Sequence, residues 1–177
     1  MQSELLIRQG KPEDAEKLAA LAIQVWLHTY ATDGISSTIA QYVLAEFTPE
    51  RFRAMLKRPA STVLVAEMVA SLVGYAVVDV GASCAEAASA TAELATLYVQ
   101  EHFIGKGAGA ALLKHAEAVA FERTGNPLWL KVNARNNKAI AFYARRGYTK
   151  IGVAYFSLGG DKHENLVLIG RAASVAP

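Results

Sequence analysis

The sequence predicts an α+β domain built on a mixed sheet. Short runs rich in Val, Leu, Ile and Tyr recur along the chain and read as strands, while runs with apolar residues three and four apart read as helices. Their order is one strand, several helices, three strands, a helix, a strand, a helix and two strands. Segregated hairpins plus a single strand–helix–strand crossover give a central, mostly antiparallel sheet of about six to seven strands flanked by helices.

Leu5–Arg8 reads as the first strand. Pro12 opens a helix whose first turn holds Glu13 and Asp14, where the helix dipole favours anions. Leu18, Leu21, Ala22, Val25 and Trp26 give it one apolar face, and Asp33-Gly34 ends it. Helices follow over Ile35–Phe47 and Pro49–Leu56, broken by Arg58-Pro59. Ser61–Glu67 and Leu72–Val80 form a hairpin whose turn, Val69-Ala70-Ser71, is weakly marked. Gly81–Ala90 reads as a loop and Ala92–Val99 as a strand. Gly107–Thr124 is a helix with Leu112, Leu113, Ala116 and Ala120 on one face, and Leu128–Val132 is the next strand. Asn136–Arg146 is a helix stopped by Gly147. Tyr148–Leu158 and Asn165–Gly170 close the sheet around Gly159-Gly160-Asp161. A single domain over residues 1–177 follows, with 172–177 as a flexible tail.

Composition limits the partners. The chain is 53% apolar and 19% charged, with a net charge of +2, so it buries a core without disulfides or metals and offers no basic block for nucleic acid. Its longest charge-free stretch, Leu18–Thr32, has 15 residues, short of the roughly 20 that a membrane span needs. The start MQSELLIRQG lacks a signal-peptide pattern, which makes the cytoplasm the expected location. A lone cysteine, Cys84, and four histidines without ligand spacing predict no metal site.

The strongest chemical signal is Ile104-Gly105-Lys106-Gly107-Ala108-Gly109, between a strand and a helix. Glycines there admit a close backbone approach, and the free N–H groups of the first helical turn form a cradle for phosphate. A nucleoside-triphosphate loop is excluded because no Lys-Ser or Lys-Thr stands at the required spacing. A dinucleotide fold is excluded too. The next strand supplies no acidic residue, and the 72 residues after Gly105 are too few for a doubly wound sheet.

Tyr98-Val99 followed by Gly105-Lys106-Gly107-Ala108-Gly109-Ala110-Ala111-Leu112-Leu113 resembles the acetyl-CoA loop of the GCN5-related N-acetyltransferase superfamily. A second block, Asn136-Asn137-Lys138-Ala139-Ile140-Ala141-Phe142-Tyr143 with Gly147-Tyr148, resembles the same family. One helix and one strand separate the two blocks, as the family requires. The resemblance implies a parallel strand pair splayed around acetyl-CoA. The cosubstrate would be held by Leu97, Tyr98 and Val99, by the loop Ile104, Gly105, Lys106, Gly107, Ala108 and Gly109, and by Asn136, Ala139 and Tyr143. Ile104 departs from the family's usual Gln or Arg, so a side-chain contact to the pyrophosphate would be missing. Independently, Asn136 is a good helix N-cap. Ala139, Phe142 and Tyr143 share a helix face, with Phe142 expected in the core and Tyr143 expected to act.

Acetylation needs a neutral amine, whereas an alkylamine with a pKa of about 10.4 is protonated at pH 7, so a base is required. Glu93 matches the position where the family often has a catalytic Glu, and Tyr143 would protonate the departing thiolate. Alternation sets Glu93, Ala95, Leu97 and Val99 on one strand face. Cys84 has no basic neighbour in sequence to activate it as an acetyl carrier, so attack is expected to be direct. Trp26-Leu27-His28-Thr29-Tyr30 with Tyr42 and Phe47, and the tail Tyr155–Asp161, resemble bacterial polyamine acetyltransferases. That implies a small amine acceptor, a polyamine first, met by Trp26, Tyr30, Asp33, Glu93 and Tyr155, with Glu46 and Asp161 as further carboxylates. A protein amino group, an antibiotic amine, an amino acid or a non-catalytic acetyl-CoA sensor are the alternatives. The family also implies a homodimer formed at the edge of the last two strands.

Overall fold

The computed structural model describes residues 4–158 and 160–171. Gly159 in the last turn and the expected tail, 172–177, lie outside the described residues. The elements are β1 (Leu6–Gln9), a 3₁₀ turn (Pro12–Asp14), α1 (Ala15–Tyr30), α2 (Ser37–Glu46), α3 (Pro49–Lys57), β2 (Ser61–Met68) and β3 (Ser71–Val80). Then come β4 (Ala92–Val99), a 3₁₀ turn (Glu101–Phe103), α4 (Ala108–Thr124), β5 (Leu128–Asn133), α5 (Asn137–Ala144), β6 (Thr149–Leu158) and β7 (Asp161–Ile169). The seven strands make one mixed sheet in the order β1-β2-β3-β4-β5-β7-β6. β4 and β5 run parallel, whereas β1–β2, β5–β7 and β6–β7 are antiparallel.

Contacts divide the chain into two compact units. The first comprises the residues up to Val77 together with Thr96–Ala116. The second comprises Val78–Ala95 together with the residues from Glu117 onward. In the first, Leu18, Leu21 and Ala22 of α1 and Phe52 of α3 bury against Val63, Val65, Tyr75 and Val77 of the sheet. In the second, Cys84 and Ala90 of the β3–β4 loop pack on Trp129 and Val167, and the Trp129 indole N–H donates to the Ala82 carbonyl at 3.1 Å.

Several boundaries differ from the sequence reading for identifiable reasons. α1 starts at Ala15 because Pro12–Asp14 forms a tighter 3₁₀ turn. α2 starts at Ser37 because the Ser36 hydroxyl accepts the Ile39 N–H as a cap. The weakly marked β2–β3 turn is a two-residue loop with Val69 at φ 47° and Ala70 at φ 60°, left-handed without a glycine. β7 begins at Asp161 rather than Asn165, since its pairing with β6 continues down to Leu158↔Asp161.

A charged knot ties the first unit together. The Arg8 guanidinium grips Asp14 with two bonds, Nη1 to Oδ2 at 2.7 Å and Nη2 to Oδ1 at 3.0 Å, and donates through Nε to Glu67 Oε2 at 2.9 Å. Asp14 is only 3% exposed and also accepts the Lys11 backbone N–H at 2.9 Å. The hydrogen bonds from Arg8 hold the Asp14 carboxyl below the usual carboxylate range, against the opposing effect of burial. Because the folded-state pKa is lowered, this contribution to stability is present in full above the unfolded value and is lost as pH falls through about 4 and below. Asp14→Asn is expected to cost about 2–3 kcal/mol in urea unfolding at pH 7. The gap to the wild type should narrow steadily below about pH 4.

Candidate active site

The first unit carries the glycine loop. Beyond β4, the N–H groups of Phe103, Ile104 and Lys106 are spent on the turn carbonyls of Gln100, Glu101 and Phe103. Gly105 and Gly107 sit at φ +80° and +92°, with no atom within 4 Å of where a Cβ would stand. The first helical bond of α4 runs from Ala111 N–H to the Gly107 carbonyl at 3.0 Å. The Ala108, Gly109 and Ala110 N–H groups therefore precede the intrahelical ladder, as first-turn donors do. Ala108 is buried beneath them, so the helix start is slim. Ile104 is 60% exposed, and Lys106 Nζ stands 5.2 Å from the Phe103 ring centroid. The loop thus offers backbone donors and a helix dipole to a phosphate group.

Gly74 of β3 seats the end of β4. A Cβ at Gly74 would stand 2.8 Å from the Tyr98 carbonyl oxygen and 3.2 Å from Leu112 of α4, and Gln100 N–H donates to the Val73 carbonyl at 2.9 Å. The Tyr98 ring meets Tyr75 edge-on at 5.6 Å. Burial pushes its phenol above the ordinary value. Of the aromatics expected at the acceptor, those near the amino terminus cluster in this unit. Trp26 lies 4.9 Å from both Tyr30 and Tyr42, and Tyr42 meets Phe47 at 6.1 Å. Trp26 itself is buried as a packing residue, while Tyr30 is exposed. Asp33 is exposed beyond α1, and Glu46 is paired with Arg51 at 2.7 Å.

The second unit holds Glu93. β4 and β5 are in register at Ala92↔Leu128 and Glu93↔Trp129, so Glu93, Trp129 and Lys131 share a sheet face. Lys131 Nζ lies 3.1 Å from Glu93 Oε1 and 5.1 Å from the Trp129 ring centroid. Tyr155 stands on the other face. Lys131 pairs with Val167, which pairs with Gly152, whereas Tyr155 pairs with Glu164, an odd number of residues away. The structure therefore does not bring Tyr155 to Glu93. Asp161 is the exposed first residue of β7.

On α5, Asn136 Oδ1 accepts the Ala139 N–H at 3.0 Å, the expected cap. Of the two aromatics that follow, the second is the more buried. Phe142, expected in the core, is half-buried beneath the Arg146 guanidinium at 3.7 Å, while Tyr143 is buried. Tyr143 lies 5.5 Å from the Tyr148 ring, and its carbonyl accepts the Arg146 and Tyr148 N–H groups at 2.9 and 3.1 Å. Burial raises its phenol above the ordinary value, so it stays protonated at neutral pH. The Tyr148 hydroxyl donates to Glu117 Oε1 at 2.9 Å. Cys84 is buried beside Glu86, and burial pushes its thiol up.

Sequence reasoning missed Lys131, Gly74 and the Tyr148–Glu117 bond. Strand alternation put Lys131 on the face of Trp129, but only the register with β4 brings it to Glu93.

Residues 21–148 match the Acetyltransferase (GNAT) family. Uncharacterized N-acetyltransferases of Mycobacterium bovis and Mycobacterium tuberculosis are 31% identical over 156 residues, covering 88% of this chain and 96% of theirs. Among solved structures, the PaiA N-acetyltransferase of Thermoplasma acidophilum in complex with coenzyme A superposes with a TM-score of 0.77 at 22% identity, over 95% of this chain and 99% of that one. The ribosomal-protein-alanine N-acetyltransferase of Brucella melitensis gives 0.66 at 24% identity, over 93% and 98%. The protein belongs to the GNAT family of acetyltransferases, as an acetyl-CoA-dependent N-acetyltransferase. Among the described residues no helix is long and apolar enough to cross a membrane.

Gly74→Ala is expected to cost about 1–3 kcal/mol, because backbone stands where the methyl would go. Urea denaturation of the variant checks this.

Proposed function

We propose that the enzyme moves acetyl to a primary amine by direct attack, with both substrates bound, Glu93 as base and Tyr143 as acid. The observation that carries this is a cation 3.1 Å from the Glu93 carboxylate, which is where an acceptor ammonium must stand to lose its proton. When bound, acetyl-CoA supplies the thioester and a thiolate leaving group. The Gly105–Gly109 loop would hold the pyrophosphate through backbone N–H groups, and Leu97–Val99 would pair with the pantetheine arm and polarise the acetyl carbonyl. Asn136 fixes the start of α5, and Ala139 keeps that helix slim. Tyr143, buried and protonated, holds the proton the thiolate takes. Cys84, buried beside a carboxylate with its thiol raised, is poorly suited to carry the acetyl group.

For the acceptor we favour a small alkylamine, a polyamine first. The support is the pair Tyr30 and Tyr42 packed around the buried Trp26, since the exposed Tyr30 ring suits an alkylammonium chain. A second reading, an amine that also carries an anionic group, such as an amino acid, is favoured by one observation. A cleft of about 280 Å³ at the end of β5 is lined by Asn133, Arg135, Lys162, His163 and Glu164, two fixed cations against one carboxylate. We also take residues 1–177 as one catalytic domain acting as a homodimer. The support for the dimer is the position of β6 at the sheet edge, with Val153 and Tyr155 exposed.

A thiol-release assay over polyamines, simple alkylamines, amino acids and hydroxyl-only acceptors tests the reaction. Turnover is expected with spermidine or spermine and none with hydroxyl-only compounds, while a response confined to amino acids selects the second reading. Glu93→Gln is expected to lower kcat/KM by about a hundredfold or more. Parallel initial-rate lines abolished by Cys84→Ala would instead establish a covalent carrier.

A further inference from the structure

The group that hydrogen-bonds the carboxylate of a general base occupies the place from which that base takes a proton. Here Lys131 Nζ is that group, 3.1 Å from Glu93 Oε1. Its position follows from the sheet. Trp129 is level with Glu93 on the parallel neighbour, and Lys131 is two residues further along the same face. The Trp129 ring supports the ammonium at 5.1 Å from its centroid. The Lys131 side chain is 43% exposed and that of Glu93 19%, so both ends of the pair are reachable from solvent. A four-carbon alkylammonium is thus held where an acceptor's amine would be.

Resting on the reading of Glu93 as the base, we propose that Lys131 is an internal acceptor, and that the enzyme acetylates its own Lys131 Nζ when acetyl-CoA is bound and no amine competes. In that step Glu93 takes one proton from the ammonium and passes it to solvent. The neutral Nζ forms a bond to the acetyl carbonyl carbon, and the C–S bond breaks. The second proton leaves nitrogen as the thiolate is protonated, giving an Nε-acetyl amide, CoA thiol and one released proton. The amide carries no charge, so the modified side chain no longer pairs with Glu93. An acceptor amine displaces Lys131 from the carboxylate and protects it.

The test is to incubate the full chain with acetyl-CoA bearing a ¹³C-labelled acetyl group, with binding confirmed by calorimetry, and to follow each lysine by peptide mass mapping. Lys131 is expected to gain one acetyl group ahead of exposed lysines such as Lys57, at a rate independent of protein concentration and slowed by added amine. Glu93→Gln should slow the labelling by about tenfold or more. Lys131→Arg keeps a cation beside Glu93, removes the nucleophile and should abolish the label. Labelling of Lys131 no faster than of Lys57, or undiminished in Glu93→Gln, overturns the proposal. If Lys131 stays unlabelled while amine turnover still depends on Glu93, the internal acceptor falls alone. If amine turnover is undiminished in Glu93→Gln, the base reading falls and this inference with it.

Discussion

β4 and β5 are joined by a parallel ladder that, among the described residues, covers just Ala92↔Leu128 and Glu93↔Trp129. Much of the site's chemistry depends on that short register. It puts Glu93 level with Trp129, and so brings Lys131 within hydrogen-bond distance of the carboxylate. It also sets Glu93 on the face opposite Tyr155, because alternation propagates from β5 through β7 to β6. A slip of one residue would turn Glu93 to the face opposite Trp129 and Lys131.

The chain is charge-poor, and several charges on its sheet strands are paired. Arg8 holds both Asp14 and Glu67, and Lys131 holds Glu93. On the proposed reading an anionic cosubstrate would need no basic patch, because the loop at Gly105–Gly109 presents backbone N–H groups with a helix dipole behind them. Small residues make such approaches possible. Gly74 lets the β4 backbone close on β3, and the buried Ala108 keeps the α4 start thin.

Much of the fold was legible in the sequence because its signals are local. The apolar spacing of Leu112, Leu113, Ala116 and Ala120 marks the buried face of α4, and all four are fully buried. Asn136 reads as a cap and is one. The β2–β3 turn was poorly legible because Val69 and Ala70 adopt left-handed backbone that their side chains do not advertise. β7 was read too short because Asp161, Lys162 and Glu164 look like turn residues, yet ladder bonds with β6 hold them extended. Phe142 and Tyr143 were ranked by polarity, but the orientation of α5, not the hydroxyl, chose which ring was buried.

The sequence by itself determined the α+β order of elements, the glycine cradle and the two motif blocks of the family, since each is a matter of spacing along the chain. The tertiary structure decided which side chains meet. Lys131 is 38 residues from Glu93, and no local pattern links them. Their contact exists because two distant strands pair in one register, and that register is settled by the burial of whole faces rather than by either residue.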